Sequence, residues 1–326
     1  MTRGAGLTRI KQGHELPNLA PGAQTAEPAP YGPVVCVVIA AAVLSSSYTL
    51  TKVALRDVPP LTIGLIRFAL AALVLAVWVH VVRRYPRPSG ADLRRLAIGG
   101  LLGITCYFAI ENIGVQLATA ADAALLVAAY PAITAFLELV IYRQRTQVSG
   151  LIGIAFAIVG VCFVVGYAPS ASGTRLIGDI LLVVSGVVWA LYNFVTRTVA
   201  NRYPTPVVLY YQSVAGAIAF VPLALIEADQ WRVPEHPAAT VGSLAALTIL
   251  CSIAGLGLYA KALQRLRPST AVNLLNLVPI FGLLIAVVTL GESVTPLQLA
   301  GGIVVVIGVT ITTRYEHRKS GRRTGS

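Results

Sequence analysis

Polar residues are sparse along this chain and come in short bursts. Between the bursts run apolar stretches, several long enough to cross the hydrocarbon of a bilayer, which takes about 20 helical residues. Ten stretches can be marked, at about 33–55, 61–82, 96–116, 121–142, 149–167, 178–199, 206–226, 240–262, 270–290 and 297–314. The joints are compact. Arg56-Asp57-Val58-Pro59-Pro60 follows the first stretch, and Gly291-Glu292-Ser293 follows the ninth. Most stretches are apolar on every face, whereas a helix on a water-facing surface needs a polar side. The pattern predicts an all-α polytopic membrane protein with ten transmembrane helices.

Composition agrees. Hydrophobic residues are 56% of the 326 and charged residues 12%; the mean hydropathy is +0.77. Soluble domains carry about 25% charged residues. The net charge of +12 could suit a nucleic-acid partner. The basic residues flank apolar stretches, however, without the interleaved aromatics of a binding module. They point to membrane lipids and to orientation, and no nucleic-acid partner is expected. With the N-terminus inside, Lys and Arg number twenty on the cytoplasmic side and three (Arg56, Arg175, Arg232) on the other, Lys52 and Arg67 being set aside within spans. Both termini are therefore expected in the cytoplasm. The first residues, to about Pro33, are rich in Pro, Gly and Ala and read as a disordered tail without a signal-peptide pattern.

The chain also repeats itself. Shifted by 148 residues, Gln116–Val161 overlays Gln264–Val309 without a gap. Ala123 meets Ala271, Pro131 meets Pro279, Gly153 meets Gly301 and Gly160 meets Gly308. A shift of 145 aligns the earlier stretches more weakly, Lys52 with Arg197 and Pro59 with Pro204. Each copy holds five spans. Five is odd, so the second copy crosses the membrane upside down relative to the first. Such inverted repeats favour alternating access around a site between the halves.

The residues from Ala262-Leu263-Gln264-Arg265-Leu266 through Pro279, then Leu290-Gly291-Glu292 and Ala300-Gly301-Gly302 to Gly308-Val309, resemble the second repeat of EamA-domain transporters of the drug/metabolite transporter superfamily. Lys52, Pro59-Pro60, Arg67 and Pro131 are similar to the first repeat, although Arg143-Gln144 stands where the second copy keeps Gly291-Glu292. The resemblance implies two EamA-like repeats, at 33–167 and 178–314, joined by an outer linker at 168–177. Tails lie at 1–32 and 315–326, the latter basic and cytoplasmic. It also implies a central cavity and transport of a small metabolite, such as an amino acid, across the bacterial cytoplasmic membrane. Export is the favoured direction. A flippase for an amphipathic or lipid-linked molecule is the alternative.

Ionisable groups within the membrane are costly and invite a functional reading. Arg67 and Glu111 fall at similar depth and are expected to pair at the cavity, with Lys52 nearby; Lys52 could equally reach to the headgroups. Glu111 and Glu138 are the candidates for proton coupling. Asp122 suits capping of the fourth span. Trp189, Tyr192, Asn193 and Gln212 offer stacking surface and amide groups, for a substrate or for neighbouring helices. Ser47 and Tyr48 occupy the matching part of the first span, and Tyr107 is a further aromatic on the third. Asn273 and Asn276 share one helical face of the ninth span, just before Pro279. Pro131 and Pro279 are the candidate helix breaks. Cys36, Cys106, Cys162 and Cys251 lie apart in apolar runs and read as small buried residues, with neither a disulfide frame nor a metal site. No nucleotide-binding or hydrolase motif occurs, so no cofactor and no enzymatic role is expected. Monomer and homodimer both stay open.

Overall fold

The computed structural model describes residues 31–142, 148–165, 173–200, 202–255, 257–258 and 277–323. Every regular element among them is helical. In chain order the longer ones are α1 (Tyr31–Ala54), α2 (Pro60–Val82), α3 (Gly90–Leu117), α4 (Ala120–Val127), α5 (Tyr130–Tyr142), α6 (Val148–Val165), α7 (Gly173–Ala200), α8 (Thr205–Ile226), α9 (Pro237–Gly255), α10 (Val278–Leu290) and α11 (Pro296–Arg323). Six of them are long and apolar enough to cross a membrane, and α4 with α5, bent by 45°, would make a seventh. Leu151–Val165, Val278–Leu290 and Pro296–Ile311 are shorter apolar helices, at the sequence positions of the other three expected spans.

Three boundaries differ from the sequence expectation. α3 begins at Gly90 because the Ser89 hydroxyl accepts from the Asp92 amide, which starts the helix about six residues early. α7 begins at Gly173, so Arg175 stands in the first turn of a helix and not in a linker. α11 continues to Arg323, through most of the stretch expected as a tail. Asn273, Asn276, Arg143, Arg145 and residues 1–30 lie outside the described residues.

The helices pack as an inverted pair of repeats would. α6 and α11 lie against each other with glycines at the crossing. A Cβ on Gly160 would come within 2.7 Å of the Gly301 carbonyl, and one on Gly308 within 2.5 Å of the Gly153 carbonyl. Gly153 matches Gly301 in the repeat, and Gly160 matches Gly308. The repeat therefore carries the Gly160–Gly301 contact onto the Gly308–Gly153 contact, the signature of a two-fold arrangement. Small residues let these backbones approach where lipid gives no hydrophobic drive.

The outer surface is apolar, unlike that of a soluble protein. Leu73, Ile226 and Val288 are 65–72% exposed on the outer surface. Arg67, Glu111, Asn112, Asp122, Asp179, Gln212 and Gln298 are each less than 5% exposed. The lipid-facing side is apolar and polar groups are kept within, as the cost of polar groups in hydrocarbon requires.

Two π-helical stretches interrupt spans at matched places, Leu101–Cys106 in α3 and Leu247–Gly255 in α9. A third, Val77–Val82, ends α2. π turns are rare and often mark functional sites. The first two flank the cavity described next.

Candidate functional site

A cavity of about 300 Å3 lies where the two repeats meet. The first repeat supplies side chains from α1 to α5, and the second from α7, α9 and the start of α10. Its polar wall centres on Arg67 and Glu111. The Arg67 Nε–H donates to Ser252 Oγ at 2.8 Å and Nη1 donates to Ser47 Oγ at 3.3 Å. The guanidinium also lies 4.6 Å from the Phe108 ring centre and 5.3 Å from that of Phe68. Aromatic faces and hydroxyls thus take part of the place of its lost hydration. A guanidinium has five N–H donors; two are used, and the other three have no partner among the described residues. Glu111 accepts from the Tyr107 hydroxyl, and its second oxygen has no protein partner among the described residues.

The expected Arg67–Glu111 ion pair does not form. Both groups face the cavity, but Arg67 is held by serines of α1 and α9 and Glu111 by a tyrosine one turn back on its own helix. A cation and an anion therefore face one space with unspent hydrogen-bonding capacity.

The rest of the wall is aromatic. Tyr107 and Tyr192 each lie 5.1 Å, centre to centre, from Trp189. Tyr107 meets Tyr130 edge-on at 6.3 Å. The Tyr130 hydroxyl is hydrogen-bonded to Ser185 Oγ at 2.7 Å, which fixes the ring across the repeat boundary. Pro131 and Pro279 both touch the cavity. The 45° bend falls just before Pro131, and Pro279 stands in the first turn of α10.

Other expected site residues stand back from this wall. Asn193 spends its amide on the Trp189 carbonyl of its own helix, at 2.9 Å. Gln212 is buried behind Tyr192, whose hydroxyl donates to its carbonyl oxygen at 3.1 Å. Glu138 is half-buried on α5, away from the cavity lining. Cys251, which read as a small packing residue, touches the cavity, and Cys162 is exposed on the apolar surface.

Charges cluster again at the end of the molecule where α1 finishes. Lys52 donates to the Val115 carbonyl at 2.8 Å, to Gln116 at 3.2 Å and to Ala118, capping the C-terminus of α3. It neither reaches outward nor touches the cavity. Asp122 closes a capping box with Thr119, as expected, and is also held by Arg175 at 2.8 Å and by the Gln298 amide at 2.6 Å. The Glu292 carboxylate accepts from the Ala120 and Ala121 amides, and Glu227 from those of Leu61 and Thr62. Asp179, one turn beyond Arg175, has an oxygen without a partner among the described residues.

A helical scaffold with an apolar rim, a two-fold pair of repeats and a polar cavity at their junction defines a multi-pass membrane transporter. Residues 32–166 and 176–314 match the EamA-like transporter family, and the chain belongs to that family. An uncharacterised transporter of Archaeoglobus fulgidus is 28% identical over 84% of this chain and 94% of its own length. A probable terminal-alkyne amino-acid exporter of Streptantibioticus cattleyicolor is 29% identical over 86% of this chain and 91% of its own. A probable amino-acid metabolite efflux pump of Salmonella typhimurium is 27% identical over 86% and 94%. A solved crystal structure with 18% identity superimposes with a TM-score of 0.60, covering 88% of this chain and 98% of that one, and shares its fold. The family places the chain among transporters.

Proposed function

We propose that this chain exports a neutral amino acid or close derivative across the bacterial cytoplasmic membrane by alternating access, with both termini inside. The observation that carries this reading is the cavity between the repeats, where a guanidinium and a carboxylate face one space without pairing. An amino acid has the complementary pair. Its carboxylate would meet the three open donors of Arg67, and its ammonium the open oxygen of Glu111. Tyr107, Tyr130, Trp189 and Tyr192 would receive an apolar side chain. The names of the exporter and efflux-pump relatives support the same class and direction. Glu111 is the candidate for carrying a proton, because it alone of the expected carboxylates faces the cavity. Pro131 and Pro279 would serve as the hinges.

The test is counterflow in liposomes with labelled neutral amino acids. Arg67→Gln and Glu111→Gln are each expected to raise the half-saturating concentration about 10- to 100-fold, for loss of a charged hydrogen bond worth ~1.5–3 kcal/mol. Correctly inserted variants that exchange like the wild type would overturn the binding role of both groups.

A further inference from the structure

A second space opens on the apolar surface and shares none of the lining residues of the central cavity. It is a groove of about 990 Å3 between the end of α2, the first turns of α8 and the end of α9. Its long walls are aliphatic, from Val74 and Val77 on α2, Leu209 on α8 and Ile253 on α9. Its mouth differs. Trp78, Arg83 and Tyr85 stand there, with the Arg83 guanidinium 5.5 Å from the centre of the Trp78 ring. The π turn that ends α2 gives way at once to Arg84, whose φ of +48° turns the chain sharply. Arg83 and Arg84 are both left exposed at the end of the span. None of the ion pairs among the described residues involves either arginine.

A groove in the wall of a membrane protein fills with acyl chains, and apolar walls alone do not choose among lipids. The mouth does. Tryptophan and tyrosine sit at headgroup level, and basic pockets between spans recruit anionic headgroups. We propose that this groove binds an anionic phospholipid, its phosphate on Arg83 and its acyl chains against α2, α8 and α9. Charge complementarity selects the occupant. Arg83, without a carboxylate partner among the described residues, would face a phosphodiester, and a net-neutral lipid offers it no net charge in return.

The full-length purified protein, titrated with phosphatidylglycerol and separately with phosphatidylcholine of the same chains, tests this by native mass spectrometry. A single phosphatidylglycerol is expected to be retained more tightly than phosphatidylcholine. Arg83→Gln is expected to weaken phosphatidylglycerol about fivefold, the effect of one surface cation, and to leave phosphatidylcholine unchanged. Arg83→Lys keeps the charge and should keep the preference. Leu209→Trp fills the groove and should release both lipids. Equal retention of the two lipids by wild type, or an Arg83→Gln protein that keeps the full preference, would overturn the site. Displacement of the lipid by soluble glycerol phosphate at the same concentration would show a headgroup site in which the groove plays no part, and would also overturn it. The central cavity contributes no residue here, so failure of the lipid test and failure of the transport test are separate results.

Discussion

Arg67 and Glu111 together impose a desolvation cost of several kcal/mol on the fold, at roughly 2.5–3.5 kcal/mol for a charge at mid-span. Direct pairing would offset part of it. The chain instead assigns each charge a partial partner, two serines and two aromatic faces for Arg67 and one tyrosine for Glu111. Their shared depth was legible in the sequence. The serine partners of Arg67 were not, because Ser47 and Ser252 come from two other helices, whereas Tyr107 stands one turn before Glu111 on the same helix and was read only as an aromatic. Asp179 escaped notice for a related reason. It stands at the expected start of a span, where a carboxylate looks like an ordinary cap, yet α7 begins six residues earlier and buries it. Outside the spans, Asp57 accepts from the Thr240 hydroxyl and from the Glu235 and His236 amides, tying the first joint to the start of α9. The Thr240 hydrogen bond and these amides hold its carboxyl below the ordinary value of 3.8. A lowered value means that the charged form is favoured in the fold. Its stabilisation is therefore complete above about pH 4 and lost as pH falls through the folded value. Asp57→Asn is expected to lower the unfolding temperature in detergent at neutral pH, with the gap from wild type narrowing below about pH 4. A gap that stays constant with pH would show that charge at Asp57 is irrelevant.

At the scale of elements, helix ends near the start of α2 are closed by charges from elsewhere in the chain. Glu227 takes the first amides of α2, Glu292 those of α4 and Asp57 those just before α9, while Lys52 takes the last carbonyls of α3. Helix ends leave amides and carbonyls unsatisfied and carry partial charge, so these placements match sign to end. Spacing within one segment reveals a local cap such as Thr119 with Asp122. It cannot reveal a cap supplied from over a hundred residues away, and Gly291-Glu292 was legible only as a motif. Its glycine has a plain reason, a φ of +67° at the C-terminus of α10. The α6–α11 crossing gives the element-scale prediction. Gly160→Ala places a methyl 2.6 Å from Val305 Cγ2 and 2.7 Å from the Gly301 carbonyl. It should destabilise by about 1–3 kcal/mol through overpacking. Gly242→Ala, on α9 with nothing within 4 Å, should be neutral or slightly stabilising. Thermal unfolding of the two variants side by side checks this, and equal behaviour would mean the crossing is looser than drawn.

The whole molecule is built from two EamA-like repeats, and the repeat was the most legible feature of the sequence. The glycine offsets that aligned the copies turn out to be the contacts that join them. The asymmetry was harder to read. The cavity takes Arg67 and Glu111 from the first copy alone, while Ser252 and Trp189 come from the second. A site of this kind exists only when both copies close on it, and its walls would move when they rock apart. The helix ends beside Asp122 and Lys52 are tied to one another by Arg175, Gln298 and the carbonyls at the end of α3. The most direct test is whether the cavity is the route. Ala128 lines it with a single methyl, so Ala128→Trp would fill the space while leaving both charged residues in the chain. Counterflow of a labelled neutral amino acid should proceed with wild type and with Gly242→Trp on the outer face. With Ala128→Trp it should fall to the level of protein-free liposomes. Undiminished exchange through a filled cavity would contradict the central claim.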